Sequence, residues 1–260
     1  MSAVFVKGIG LWTPGAPDLE AWLAGGSEGS DDAPSCEILP SRLRRATSLI
    51  IKIGAEVISQ AATQDGVDLS TVKLVFGSAY GEFQTAVDQM EMMEGADGRL
   101  SPARFKNSVH NTVTGLLSIA LRNRGFGTAV AAGSATFAMS LLEALALLDS
   151  EGGEVVVAVA DDLPAAPFYR GRPFAPLGVA FCLAAEPGAS GGARIGGLGR
   201  AEVDDGWLEA IPAELLGNPA AAALPLVRAL QERQPARVPV ELGVSEPLSV
   251  EVSPPDTQRS

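Results

Sequence analysis

Histidine is almost missing from this chain, cysteine is rare and positive charge is scarce, and each shortage removes a class of function. The sequence has one histidine and two cysteines in 260 residues, too few for a zinc site or a disulfide framework. Cys36 lies in a Gly/Ser/Asp-rich stretch, whereas Cys182 sits inside the apolar run VAFCLAA and reads as a small core residue. Lysine and arginine total 19 against 31 acidic residues, a net charge of −12. A nucleic-acid partner is therefore excluded, because phosphate neutralisation needs a basic surface. No apolar run approaches the about 20 residues that a membrane span requires. The N-terminal MSAVFVKGIG lacks the charged, apolar, small-residue order of a signal peptide, so the expected location is the cytoplasm. No glycine-rich phosphate loop stands between a strand and a helix, and no cofactor is expected. What remains is an apolar chain, 47% hydrophobic, able to bury the core of one large domain or of two packed halves.

The organising stretch is Gly127 to Leu148, GTAVAAGSATFAMSLLEALALL. Thr128, Ala129, Val130, Ala131 and Ala132 form a short uncharged run, Gly133 and Ser134 interrupt it, and Phe137, Met139, Leu141, Leu142, Leu145 and Leu148 then recur at helical spacing. This is strand, sharp turn, helix. A side chain at that turn sits on a helix N-terminus, where free N–H groups lower a thiolate pKa and stabilise an oxyanion. The residue there is Gly133.

In chain order, Ala3–Gly10 reads as a first strand and Trp12 to Pro14 as a turn. Gly25–Ser35 is an exposed loop. Pro40 and Ser41 open one long amphipathic helix with Leu43, Ala46, Leu49, Ile50, Ile53, Val57 and Ile58 on its apolar face. Arg42, Arg44 and Arg45 in its first turns read either as solvated charges or as an anion site. Val72–Phe76 is a second strand, a helix resumes from Glu82 to Met93, and Met90, Met92 and Met93 read as packing residues or as an adaptable acyl-pocket lining. Gly95–Arg104 is a loop, and a helix follows from Thr114 to Leu121. His110 at its entrance reads as a hydrogen-bonded structural residue or, as a weaker alternative, a base without a visible partner. Glu154–Ala160 and Leu177–Ala185 are buried strands, and Asp161 and Asp162 read as a strand-end turn or a carboxylate pair. The alternation predicts a largely parallel α/β sheet with functional residues at the carboxyl ends of its strands. Gly188–Gly192 is a candidate boundary. Beyond it lie short strand-like pieces at 194–199, 237–242 and 248–252, and helix-like material interrupted by Pro212, Pro219 and Pro225.

Three stretches in order, LVFGSAYGEF, SPARFKNSVHNTVTGLLSIAL and AVAAGSATFAMSLLEAL, resemble the N-terminal half of β-ketoacyl synthases, the condensing enzymes of the thiolase fold. They cover about residues 70 to 150, and VFVKGIG and the helix after Arg42 extend the likeness over most of the first 185 residues. The resemblance implies a thiolase-like, layered α/β/α/β/α fold with a complete N-terminal half, residues 1–187, a truncated C-terminal portion, 188–252, and a disordered tail, 253–260.

Where that family carries its catalytic cysteine this chain has Gly133, which cannot form a thioester. The family's two histidines come from the second half, and here residues 188–260 hold none. The chain is thus similar to the chain-length-factor subunits found with aryl polyene and type II polyketide synthases. The resemblance implies an inactive homologue that pairs with an intact β-ketoacyl synthase, as a heterodimer rather than a homodimer, meets acyl carrier protein only indirectly, and shapes the acyl tunnel. It also implies that the strand Thr128–Ala132 is a sheet edge paired with the partner, that Phe105, Val109, His110 and Asn111 lie near the interface, and that Phe137 and the methionines after Tyr80 limit tunnel depth. Two rivals stand beside this reading. One is an acyl-transfer enzyme using Ser134, against which Ser134 is expected to cap the helix. The other is a structural or regulatory thiolase-fold protein without an acyl ligand.

Overall fold

The computed structural model describes residues 3–26, 33–95, 100–164, 169–188, 192–204, 206–209 and 211–255. Along the chain run β1 (Val4–Trp12), α1 (Leu19–Leu23), α2 (Ser41–Ala46), α3 (Leu49–Thr63), β2 (Lys73–Gly77), α4 (Phe83–Glu94), α5 (Pro102–Phe105) and α6 (Thr112–Leu121). There follow β3 (Gly127–Val130), a 3-10 turn at Gly133–Ala135, α7 (Thr136–Glu151), β4 (Glu154–Asp161), β5 (Leu177–Ala184), β6 (Arg194–Arg200) and α8 (Gly206–Glu209). A second 3-10 turn at Pro219–Ala223, α9 (Leu224–Glu232), β7 (Ala236–Pro239) and β8 (Leu248–Ser253) complete it.

Among the described residues eight strands form one sheet in the order β3-β2-β4-β5-β1-β6-β8-β7. The sheet is mixed rather than largely parallel. Only β2–β3 and β2–β4 pair in parallel, and these are the strands that helices connect, as parallel crossovers require. β5 returns beside β4 antiparallel, from Asp161↔Leu177 to Glu154↔Ala184, and β1 lies antiparallel to β5.

Both faces of the central strands are buried, so their sequences are continuous apolar runs in which alternate residues serve different cores. Val155, Val157 and Val159 of β4 join Leu177, Val179 and Phe181 of β5 against α7, the second 3-10 turn and α9. Val156, Ala158, Ala160 and Cys182 face α3 and α6 instead. Helix α3 approaches β1 so closely that a Cβ at Gly10 would lie 2.0 Å from the Val57 carbonyl oxygen. β1 meets β6 only at Val4 and Phe5. Farther along, Gln64 Oε1 accepts from the Ile9 N–H at 3.1 Å, and Gln60 Oε1 accepts from the Leu11 N–H at 2.9 Å. Gln60 of α3 and Gln64 at its C-cap thereby satisfy backbone groups that a neighbouring strand would otherwise take.

Several expectations are corrected. The long helix from Ser41 is broken at Thr47, whose backbone is extended at φ −100°, ψ 151°, and α3 begins afresh after Ser48. Ser48 does not cap α3, because its Oγ donates to Glu82 Oε1 at 2.5 Å. Residues 102–105, expected in a loop, form a helical turn with Ser101 accepting from the Arg104 N–H and proline in the first turn. Trp12 belongs to β1 rather than to a turn. Pro225 does not interrupt α9, since it occupies the first turn, where its missing N–H costs no helical bond. β3 ends at Val130, which leaves Ala131 and Ala132 outside the strand. Met90, Met92 and Met93 do not pack in the core; all three are exposed, Met93 by 56%. Parts of the Gly25–Ser35 loop, the Gly188–Gly192 boundary and the tail after Pro255 lie outside the described residues.

Candidate functional site

The strand–turn–helix at Gly133 is formed as a sharp turn in which Gly133 has φ +58°, a conformation that side chains disfavour. A Cβ built there meets nothing within 4 Å, so the turn has room for a side chain. The turn is held by Thr136, whose Oγ1 accepts from the Ala132 N–H at 3.0 Å and donates to the Gly133 carbonyl at 2.7 Å. Ser134 was expected to cap the helix and does not. The intervening 3-10 turn moves the start of α7 to Thr136, Ala135 occupies the N-cap position, and Ser134 is exposed with no side-chain hydrogen bond among the described residues. Gly77 at the end of β2 lets α7 approach, since a Cβ there would lie 2.3 Å from Ser140 Oγ.

Gly133 and Ser134 open on a cavity of about 410 Å³ whose other walls include Ala79, Tyr80, Leu208, Leu216, Asn218 and Leu242. Beneath it the carboxyl ends of β2 and β4 meet in a buried polar cluster centred on Asp161, which has no exposed surface. Asp161 Oδ1 accepts from Ser78 Oγ at 2.7 Å and from the Tyr80 N–H at 2.9 Å, and Oδ2 accepts from the Ala79 N–H at 3.1 Å. Ser78 Oγ in turn accepts from the Gly81 N–H at 2.7 Å. Asn218 Nδ2 donates to the carbonyls of Asp161 and Ala175, and its Oδ1 accepts from the Ala220 N–H. Burial raises the Asp161 pKa to about 6, against the hydrogen bonds from Tyr80, Ala79 and Ser78 and the nearby His110, which all favour the charged form. Burial also raises the Tyr80 hydroxyl, whose ring stacks on Phe174 and meets Tyr169 edge-on.

His110 Nε2 lies 2.7 Å from the Ser78 carbonyl oxygen. A carbonyl only accepts, so Nε2 carries the proton and donates it. No group of three or more His, Cys, Asp or Glu side chains that could hold a metal occurs among the described residues. No helix among them is long and apolar enough to cross a membrane.

The profile of the family described as "Beta-ketoacyl synthase, N-terminal domain" matches residues 20–198. This chain belongs to that family. No curated protein matches it. Among solved structures, a chain of the ketosynthase ApeO in complex with its chain length factor ApeC from Xenorhabdus doucetiae is similar at TM-score 0.70 and 18% identity, over 97% of this chain and 100% of that one. The ishigamide ketosynthase/chain length factor is similar at TM-score 0.62 and 16% identity, over 88% and 73% of the two chains. A β-ketoacyl synthase from Burkholderia phymatum STM815 matches at TM-score 0.58 and 14% identity, over 85% and 71%. The fold of this β-ketoacyl synthase-family chain is accordingly the thiolase-like α/β fold of ketosynthases, as its sequence motifs implied.

Placed in that fold, the residues singled out from sequence separate into three groups. Gly133 and Ser134 share the cavity. Thr128, Ala129 and Val130 form β3 at the end of the sheet order, bonded to β2 on one side only among the described residues, with Ala131 and Ala132 in the turn beyond. Phe105 and Ile119 are 58% and 71% exposed, and Val109, Phe126 and Leu142 are exposed too. Of these, Ile119 lies on α6 and Leu142 on α7, both of which pack on β3. Phe137 stands apart from all three groups; it is 1% exposed and packs in the core against Phe181 at 5.8 Å between ring centroids. Sequence reasoning undervalued Asp161, whose signal is a carboxylate directly after the apolar run VVVAVA of β4. It missed Asn218, signalled by the Asn-Pro pair that opens the second 3-10 turn.

Proposed function

We propose that this chain is a non-catalytic, ketosynthase-like subunit of the chain-length-factor type. It pairs with an intact β-ketoacyl synthase in the cytoplasm and shapes the tunnel in which the partner's polyketide, aryl polyene or fatty acyl product grows. Residues 1–187 supply the ketosynthase-like half and 188–252 a shortened second portion. A homodimer is the lesser form, and acyl carrier protein meets the assembly through the partner. The carrying observation is Gly133: the nucleophile turn and its helix are kept while the side chain that would form a thioester is gone. The β3 edge, unpaired on its outer side among the described residues, and the exposed apolar residues beside it support the pairing. The chain-length-factor complexes among the structures that share its fold support the type of subunit.

In this reading Phe105, Val109, His110 and Asn111 face the partner with β3, and the exposed methionines of α4 contribute to the tunnel end. The turn itself gives a test. Gly133→Cys fits sterically, with strain of about 1 kcal/mol for a side chain at positive φ. Because a thiol alone supplies no group to stabilise the enolate of the extender unit, chain extension by purified Gly133→Cys protein should stay at background in a malonyl-transfer assay. Measurable extension by this single variant would overturn the non-catalytic reading.

A further inference from the structure

We infer that His110 is the positioning residue of the partner-facing segment, holding residues 105–111 on the Asp161-centred turn in the geometry in which they dock. The inference rests on the interface reading above. Within this segment the polar bonds are local: Lys106 N–H to Pro102, Asn107 N–H to Arg104, Ser108 N–H and Oγ to Phe105, with Val109 and Asn111 accepting from residues no farther away than Gly115. Burial does not anchor it either, since Phe105 and Val109 point their apolar side chains to solvent.

One long-range bond leaves the segment among the described residues, from His110 Nε2–H to the carbonyl oxygen of Ser78, 32 positions away. The receiving turn is rigid for a visible reason. Asp161 takes hydrogen bonds from Ser78, Ala79 and Tyr80, and Ser78 takes one from Gly81. The imidazole is also seated on Gly81, where an added Cβ would lie 3.0 Å from its Cδ2. The segment is thus tied by this bond to a turn that a fully buried carboxylate holds through three hydrogen bonds. Fixing it before association lowers the ordering cost that docking must meet.

Hydrogen exchange on the purified full chain tests this without any partner. In His110→Ala, the amides of residues 106–111 should exchange about tenfold faster, as expected on losing one well-made hydrogen bond, while those of β4 and β5 keep their protection. His110→Gln places an amide N–H where Nε2–H stood and should restore the protection, which a merely space-filling role would not require. Gly81→Ala, which crowds the ring from the turn side, should loosen the same amides. Unchanged exchange in His110→Ala, or failure of His110→Gln to restore it, overturns the positioning role. Because no association is measured, either result is separate from a failure of the pairing itself, which would show as a wild-type chain that stays monomeric beside an intact ketosynthase.

Discussion

Val130→Asp should abolish association with a ketosynthase subunit while leaving the fold in place. Val130 ends β3, the outermost strand of the sheet, and is half-buried, with its carbonyl accepting from the Ser78 N–H on the inner side. The outer side of β3 carries no lysine, proline or charge from Gly127 to Val130, the devices by which natural edges resist pairing. Exposed Ile119 of α6 and Leu142 of α7 flank it on the two faces of the sheet. An edge continued by a partner strand would bury that whole strip. A charge buried unpaired at that edge costs about 3 kcal/mol or more, a hundredfold or larger loss of affinity. The isolated variant should keep its helical circular dichroism and melt within a few degrees of wild type, because Val130 contributes only partly to the core. Wild-type affinity in Val130→Asp, measured by analytical ultracentrifugation, would show that β3 is not the interface.

Asp161→Ala should be among the most destabilising single changes in the chain. The substitution strands the Ala79 and Tyr80 N–H groups and the Ser78 hydroxyl in a buried site, each costing about 1–3 kcal/mol when left unpaired. A total loss on the order of 3–5 kcal/mol is expected in urea unfolding. Its pH dependence follows from the raised pKa. The folded chain holds the Asp161 proton up to about pH 6, against an ordinary aspartate value of 3.8, so between those values the native state binds more protons than the unfolded one. The contribution of Asp161 to stability is therefore greatest below about pH 4, declines as pH rises through 6 and is level above it. The gap between wild type and Asp161→Ala should accordingly be larger at pH 4.5 than at pH 7.5. A gap that widens as pH rises would show that the carboxylate is not desolvated in the way its burial implies.

The parts of this structure legible in sequence are those fixed by local patterns. The valine run of β4 and the apolar run of β5 announce buried strands, and the spacing after Thr136 announces α7, because period alone separates them. What was not legible depends on partners far along the chain. The break between α2 and α3 is set where Ser48 reaches Glu82, 34 positions away. The weight of Asp161 comes from donors about 80 positions upstream. The antiparallel direction of β5 beside β4 is set by cross-strand pairing from Asp161↔Leu177 to Glu154↔Ala184, which strand patterns alone do not encode. Helical spacing also marks Met90 and Met93 as apolar without saying whether the chain's own core or another surface takes them. At the candidate site the glycine at the turn was plain from the sequence, whereas the role of Thr136 in holding the turn depends on hydrogen bonds to Ala132 and Gly133 that no sequence pattern marks.

The most direct test of the central claim is the molar mass, by multi-angle light scattering, of the purified chain mixed in turn with each intact β-ketoacyl synthase of its own source organism. A one-to-one heterodimer that forms with the wild-type chain is the predicted result. A stable 26.7 kDa monomer that ignores every such synthase would contradict it.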